Sequence, residues 1–301
     1  MSKKEYRLVV KLPNSEKKEF IVKEPLIERN ATFKTPHQTP FIDLIGKETK
    51  TRIMLKKSCA TQLLSEWTEP KRIDLIGKTA NIVMRVQNLP IPGLETIKFV
   101  YKSGTSKRVV REFHNYCLFS RVKGIRTLHP LGFAVDFDAK IGFLFTLFER
   151  NVVPLSSINY TTILSEQRHM FIRKCMEEIA IMHAHNITHN DLKLKNFLHP
   201  KGTGPLFIVD AAKMNFSKRD LHIQAIRYDI LTFVGSAIFH NMIKDYHDFS
   251  EAVRIYLKTL AKIRRTEMPR PHETKLFVEK MKEYLPLHPT DKNIQNLQKI
   301  L

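Results

Sequence analysis

Apolar and polar residues alternate over short stretches in the first half of the chain and recur every three or four positions in the second. In the first 70 residues the runs YRLVVKL, EFIVKE and TRIMLKK read as β-strands separated by proline, asparagine and other polar residues, able to pair as a small sheet. RIDLIGKTANIVMRVQNL reads as two strands around a turn, and ETIKFVYK as a third. VVREFHNYCLFSRV has helical spacing at Val110, Phe113, Cys117 and Leu118, and KIGFLFTLFE, after LHPLGF, reads as a buried strand. This half therefore runs strand, strand, strand, helix, strand, strand. From about Asn151 the pattern turns helical: QRHMFIRKCMEEIAIMHAHN places Ile172, Cys175, Met176, Ile179 and Met182 on one stripe, ending near Asn186. GPLFIVDAAKM then gives a Gly-Pro turn and a short strand ending at Asp210, and AIRYDILTFVGSAIFHNMI and SEAVRIYLKTLAKI read as further helices. The expected fold class is α+β, with a β-rich extension over residues 1–70, a β-rich segment over 71–150 and a mainly α-helical segment over 151–301.

Composition narrows the partners. A chain of 301 residues that is 43% apolar can bury a sizeable core. Its longest apolar run, ILTFVGSAIF, is about half the length that a bilayer requires, so it reads as a buried helix. The basic N-terminus lacks an apolar core followed by a small-residue cleavage site, so a cytoplasmic location is expected. Cys59, Cys117 and Cys175 are scattered without metal-ligand spacing and read as reduced thiols. The formal charge of +20 attracts polyanions, whether phosphorylated substrates, anionic lipid head groups or nucleic acid, and is densest at Lys47–Lys57 and Lys258–Arg270.

One stretch concentrates the chemistry: ITHNDLKLKNFLH, from Ile187 to His199, with LFIVD ending at Asp210 just downstream. Carboxylate, amide and ammonium groups together suit the transfer of a phosphoryl group to a hydroxyl. The acceptor must lose a proton, a hard cation must bridge phosphate oxygens, and spreading negative charge needs cations nearby. In that reading Asp191 orients or deprotonates the acceptor, Lys193 neutralises the moving group, and Asn196 and Asp210 supply oxygen ligands to Mg²⁺.

The segment His189-Asn-Asp-Leu-Lys-Leu-Lys-Asn196 resembles the catalytic loop of protein-kinase-like enzymes, with Asn190 where an Arg is usual. The resemblance implies a bilobal kinase-like fold with a β-rich N-lobe and a mainly α C-lobe. It also implies ATP and Mg²⁺ as cofactors, and a phosphate-anchoring ion pair between Lys102 and Glu112; Lys102 is preferred over Lys98, which shares its strand face. Gly77 stands in the expected phosphate-covering turn, which is otherwise poor in glycine, and Glu149, at the end of KIGFLFTLFE, joins the nucleotide-binding set. His189 and Asp229 are expected to brace the loop. Asp-Phe-Gly is replaced by Asp210-Ala211-Ala212, and only 18 residues separate Asp210 from Asp229, with no Ala-Pro-Glu-like signature.

The wording VVREFHNYCLFSRVKGIRTLHPLGF, with ITHNDLKLKNFL and RYDIL, is similar to the lipopolysaccharide core (Kdo/heptose) kinases over about Arg72 to Leu231. This implies phosphorylation of a sugar hydroxyl on an anionic glycolipid by an enzyme peripheral to the cytoplasmic face of the inner membrane. The alternatives are an atypical Ser/Thr kinase of RIO or Bud type, for which the basic surface would favour nucleic acid, and a non-catalytic kinase-like binding protein. His183 and His185 are expected to cap helix-end carbonyls rather than bind metal. Trp67 is expected to anchor the N-terminal strands.

Overall fold

The computed structural model describes residues 6–11, 17–22, 26–30, 41–46, 51–56, 74–79, 82–89, 97–138, 140–201, 204–267 and 270–284. Trp67 and Cys59 lie outside the described residues. The chain divides into two compact units, one of Met1–Arg121 with Leu128–Arg150, the other of Val122–Thr127 with Asn151–Leu301.

The first unit is built on strands. β1 (Tyr6–Lys11) and β2 (Lys17–Val22) form an antiparallel hairpin of their own. The remaining strands are β3 (Leu26–Asn30), β4 (Phe41–Gly46), β5 (Thr51–Lys56), β6 (Asp74–Thr79), β7 (Ile82–Leu89), β8 (Ile97–Gly104), β10 (Pro130–Asp136) and β11 (Ile141–Leu147). They make one antiparallel sheet in the order β3-β4-β5-β10-β11-β8-β7-β6. TRIMLKK thus pairs with β4 and β10 instead of with the first two runs, and strands from residues 1–70 continue the sheet of residues 71–150. The reason is burial. Ile53, Met54 and Leu55 are consecutive and all buried, which requires cover on both faces and a central place in a sheet.

Helix α1 (Ser106–Phe119) follows β8 and packs on β10 and β11, burying Val109, Phe113, Tyr116 and Cys117. Phe113 meets Phe133 edge to face, with centroids 5.0 Å apart. Two glycines permit the close layers. A Cβ on Gly142 would lie 3.0 Å from Val109 Cβ, so the helix rests on bare backbone there. Gly132 has φ +152° at the irregularity in β10, where a Cβ would lie 2.2 Å from the Met54 carbonyl oxygen.

In the second unit a small sheet has the order β12-β14-β15-β9, with β12 at Val152–Pro154, β14 at Phe197–Pro200, β15 at Phe207–Ile208 and β9 at Arg126–Thr127. β13 (Ile187–Thr188) pairs with β16 (Asn215–Phe216). Among the described residues, four helices complete the unit: α2 (Ser165–Ala184), α3 (Ile223–Phe239), α4 (Tyr246–Arg264) and α5 (Pro271–Tyr284). The apolar run expected to be a buried helix is the body of α3, where Ile230, Leu231, Phe233, Val234 and Ala237 are fully enclosed. α2 packs along α4, and α5 packs on α4. None of the described helices is long and apolar enough to cross a membrane. The fold is α+β, a strand-rich first unit and a mainly helical second.

A buried ion pair pins the helical unit. Arg168 on α2 donates to Asp248 on α4 and, at 2.9 Å, to the Met242 carbonyl. Asp248 also takes the Lys244 amide at 2.9 Å and the His169 imidazole at 2.9 Å. Burial pushes its carboxyl up, but the hydrogen bond from Arg168, with those from Lys244 and His169, outweighs burial and holds it below its ordinary value of 3.8. The stability that this depressed carboxyl contributes is therefore complete above that value and is lost as pH falls through its lower folded value. Asp248→Ala would leave Arg168 buried without its partner and is expected to cost about 3–5 kcal/mol, read as a lower urea midpoint at pH 7. At pH 2 the gap between variant and parent should shrink.

Candidate active site

The sequence-predicted residues fall into two groups, one in each unit. In the first unit, β8 carries Lys102, opposite Met84 of β7 and Leu144 of β11. Its ammonium donates to both oxygens of Glu112 on α1, at 2.7 and 2.9 Å. Glu112 is fully buried, so the bidentate contact offsets the cost of removing its charge from water. The backbone of Lys98 lies opposite Asn88 in the same strand. Gly77 lies within β6, opposite Met84, where the β6–β7 pairing shifts register, and residues 80 and 81 lie outside the described residues. Glu149, two residues beyond β11, is half-buried and makes no hydrogen bond or ion pair among the described residues. The structure joins Lys102 to Glu112, and the strand register sets Gly77, Met84 and Lys102 in one row across β6, β7 and β8.

In the second unit, α2 stops at Ala184, and Asn186 takes a left-handed conformation (φ 59°) that turns the chain into β13. Asp229 of α3, completely buried, reaches the segment that follows. Its Oδ2 accepts the His189 amide and its Oδ1 the Asn190 amide, both at 2.7 Å. The same carboxylate accepts from His183 Nε2 at 3.3 Å, and His183 Nδ1 meets the Tyr256 hydroxyl at 2.9 Å. His183 was expected to cap the helix end; it is instead a fully buried link between α3 and α4, while His185 Nδ1 does bond a helix-end carbonyl, that of Ile181, at 2.9 Å. The side chain of His189 turns the other way and donates through Nε2 to the Val209 carbonyl at 2.9 Å, one residue before Asp210.

Asn190, where an Arg was the usual residue, adopts φ 58°, a region that asparagine enters more readily than most residues. Its amide donates to Thr188 Oγ1 at 3.1 Å and to the Lys213 carbonyl at 3.0 Å, tying the loop to the segment after Asp210. Beyond Asp191 a tight turn over Leu194–Asn196 is braced by the Ser236 hydroxyl of α3, which accepts the Leu194 amide at 3.0 Å. Asn196 donates its Nδ2 to the Asp191 carbonyl at 2.7 Å, so its amide oxygen remains as the acceptor. Because the Val209 amide bonds the Asn196 carbonyl at 2.9 Å, β14 and β15 hold Asn196 and Asp210 at adjacent places on one hairpin. Asp210 itself has φ 63° and opens the turn Ala211–Lys213.

Asp191 lies between two ammonium groups. Lys193 Nζ is 2.9 Å from Oδ1, and Lys213 Nζ is 3.5 Å from Oδ2. Burial pushes the Asp191 carboxyl up and the neighbouring Asp210 adds to this, but the Lys193 hydrogen bond and the charges of both lysines prevail, leaving it below 3.8. It is therefore a carboxylate at neutral pH, an acceptor able to align a hydroxyl, and its negative charge is spread over two cations. Lys213 was missed in the sequence. The available signal was its place three residues after Asp210, where one tight turn brings it back toward the loop.

The residues fit a metal that arrives with phosphate. No group of three or more His, Cys, Asp or Glu able to hold an ion occurs among the described residues. Mg²⁺ needs only one or two protein oxygens when phosphates and waters complete its shell, and an amide oxygen and a carboxylate on one hairpin are donors of the right hardness.

Replacing Asp229 by Asn puts an NH₂ group where one of two backbone amides must be accepted. The expected cost is about 1–3 kcal/mol, with faster hydrogen exchange at the His189 and Asn190 amides than at the helical amides of α4. Equal exchange at the two sites would show that the carboxylate does not hold the loop.

No family model matches the chain, and no curated protein matches it. Among solved structures, WaaP in complex with acyl carrier protein is similar, with a TM-score of 0.49 and 14% identity over 70% of this chain and 88% of that one. A likeness at that distance carries no argument about substrate or activity.

Proposed function

We propose that the protein is an ATP- and Mg²⁺-dependent phosphotransferase that phosphorylates a sugar hydroxyl of a lipopolysaccharide core or a similar anionic glycolipid. The observation that carries this reading is the placement of Asp191, paired with Lys193, on a loop whose own carbonyl orients Asn196, next to the hairpin that presents Asp210. In the reaction, the acceptor oxygen forms a bond to the γ-phosphorus and the bond to the β-phosphate oxygen breaks, releasing ADP. Asp191 aligns the hydroxyl and receives its proton as charge leaves the nucleophile. Lys193 stabilises the charge on the group in transit. Asn196 and Asp210 would hold Mg²⁺, which when bound neutralises charge on the phosphate oxygens. Lys102, fixed by Glu112, serves as the anchor for the α- and β-phosphates.

The segment after Asp210 supports a small acceptor over a peptide. Between Asp210 and α3 it forms only one tight turn and the two residues of β16, with no helix on which a protein substrate could rest. The charge of +20 supports work at an anionic membrane face, where basic surface residues are each worth about 1 kcal/mol.

The test is γ-phosphate transfer from labelled ATP with Mg²⁺, offering core glycolipid, generic protein and no acceptor in parallel. Transfer to glycolipid is expected. Asp191→Ala is expected to slow it about 10²–10⁴-fold with nucleotide binding retained, and Asp210→Ala to abolish the dependence of nucleotide binding on Mg²⁺. Transfer to protein alone would replace this reading with that of an atypical Ser/Thr kinase.

A further inference from the structure

Asp229, Thr232 and Ser236 follow one another along α3 at spacings of three and four residues, which puts them on one face of the helix. The outer two are two turns apart, about 10.5 Å along the axis. Asp229 takes the amides of His189 and Asn190, ahead of Asp191, and Ser236 takes the amide of Leu194, beyond Lys193, at 3.0 Å. Thr232, between them, is buried, and its hydroxyl has no hydrogen-bond partner among the described residues. The stretch that carries Asp191 and Lys193 is therefore held at both ends by one helix. The two ends differ in what they serve. Leu194 is completely enclosed, so without the Ser236 hydroxyl its amide would be buried with no acceptor. Leu194 opens the tight turn Leu194–Asn196, which is closed by the Asn196 amide on the Lys193 carbonyl at 2.9 Å. That turn sets where the Asn196 side chain leaves the backbone. From there Nδ2 reaches the Asp191 carbonyl, and the Asn196 carbonyl takes the Val209 amide, one residue before Asp210.

We infer that Ser236 is a positioning residue for the metal side of the site: its hydroxyl fixes the Leu194 amide so that Asn196 keeps its amide oxygen free beside the hairpin that carries Asp210. This rests on the phosphotransferase reading and deepens it. Ser236 touches neither substrate nor metal and acts through two residues of backbone. Asp229 does the matching work at the other end, where Asp191 aligns the acceptor. A change at Ser236 therefore falls on the affinity for Mg²⁺ with nucleotide, while the acceptor meets an Asp191 still held by Asp229 and Lys193.

The experiment compares the parent chain with Ser236→Ala, Ser236→Cys and Thr232→Val. Three quantities are read: hydrogen exchange of the loop amides in the metal-free chain, the Mg²⁺ concentration that half-saturates ATP binding, and the KM for core glycolipid. In Ser236→Ala the Leu194 and Asn196 amides are expected to exchange faster while those of His189 and Asn190 keep the parent rate. The Mg²⁺ requirement should rise about tenfold, saturating Mg²⁺ should restore transfer, and the glycolipid KM should stay at the parent value. Ser236→Cys, with a weaker acceptor in the same place, should fall between the two. Thr232→Val removes a hydroxyl without a partner from the same helix face and should leave all three quantities unchanged. A Ser236→Ala chain with the parent's Mg²⁺ requirement, or one slowed alike at every Mg²⁺ concentration, would overturn the role of Ser236 and leave the phosphotransferase reading intact. So would a Thr232→Val chain that shifts the Mg²⁺ requirement as far as Ser236→Ala does. If ATP binding by the parent does not respond to Mg²⁺ and no acceptor is phosphorylated, the phosphotransferase reading fails and the role of Ser236 fails with it.

Discussion

A carboxylate with no access to water, Asp229, holds two consecutive backbone amides of the loop that carries Asp191. Removing such a charge from solvent costs several kcal/mol unless its oxygens are fully engaged. Two short amide bonds and the His183 imidazole engage them. The consequence is directional: because the two amides are adjacent, both oxygens fix the plane of the chain at His189 and Asn190, and hence the exit direction toward Asp191. His183 extends the same constraint to Tyr256, so α2, α3 and α4 all bear on one short stretch of backbone.

That stretch would not otherwise keep its shape. Asn190 and Asp210 both occupy the left-handed region, which costs a non-glycine residue about 1 kcal/mol or more and persists only where surroundings over-determine it. The surroundings here are explicit. Asn190 is held at its amide by Asp229 and through its side chain by Thr188 and Lys213; Asp210 follows Val209, whose carbonyl and amide are bonded by His189 and Asn196. Local backbone energy is raised at the two positions that aim the key carboxylates, while the rest of the loop stays in ordinary conformations.

Electrostatics completes the arrangement. Like charges on Asp191 and Asp210 repel, and a half-buried carboxyl beside another would tend to take up a proton. Lys193 and Lys213 reverse that tendency from two sides, one close and partly covered, the other more distant and open. The arrangement keeps Asp191 ionised without sealing it from solvent.

Much of this was legible in residue patterns. The period-two runs of the first half and the period-3.6 stripe of α2 each encode a buried face, and burial is what a sequence records most directly, so the α+β class and the strand-helix-strand order followed from them. The spacing of His189, Asp191, Lys193 and Asn196 marked a polar loop between a helix and a strand, and the structure gathers those residues there with Asp229 and Asp210 close by. Other features depend on contacts between distant segments, which no local pattern carries. Nothing in TRIMLKK says that it pairs with β10, nearly 80 residues later; only the need to cover both faces of Ile53, Met54 and Leu55 decides it. His183 reads as a helix-end residue until α3 and α4 close around it, and Lys213 reads as one surface lysine among 50 basic residues until a tight turn sets it beside Asp191. The sequence determined which groups were present and on which kind of element; the tertiary structure decided which of them share a charge, because an ion pair is fixed by distance in space and not by separation along the chain.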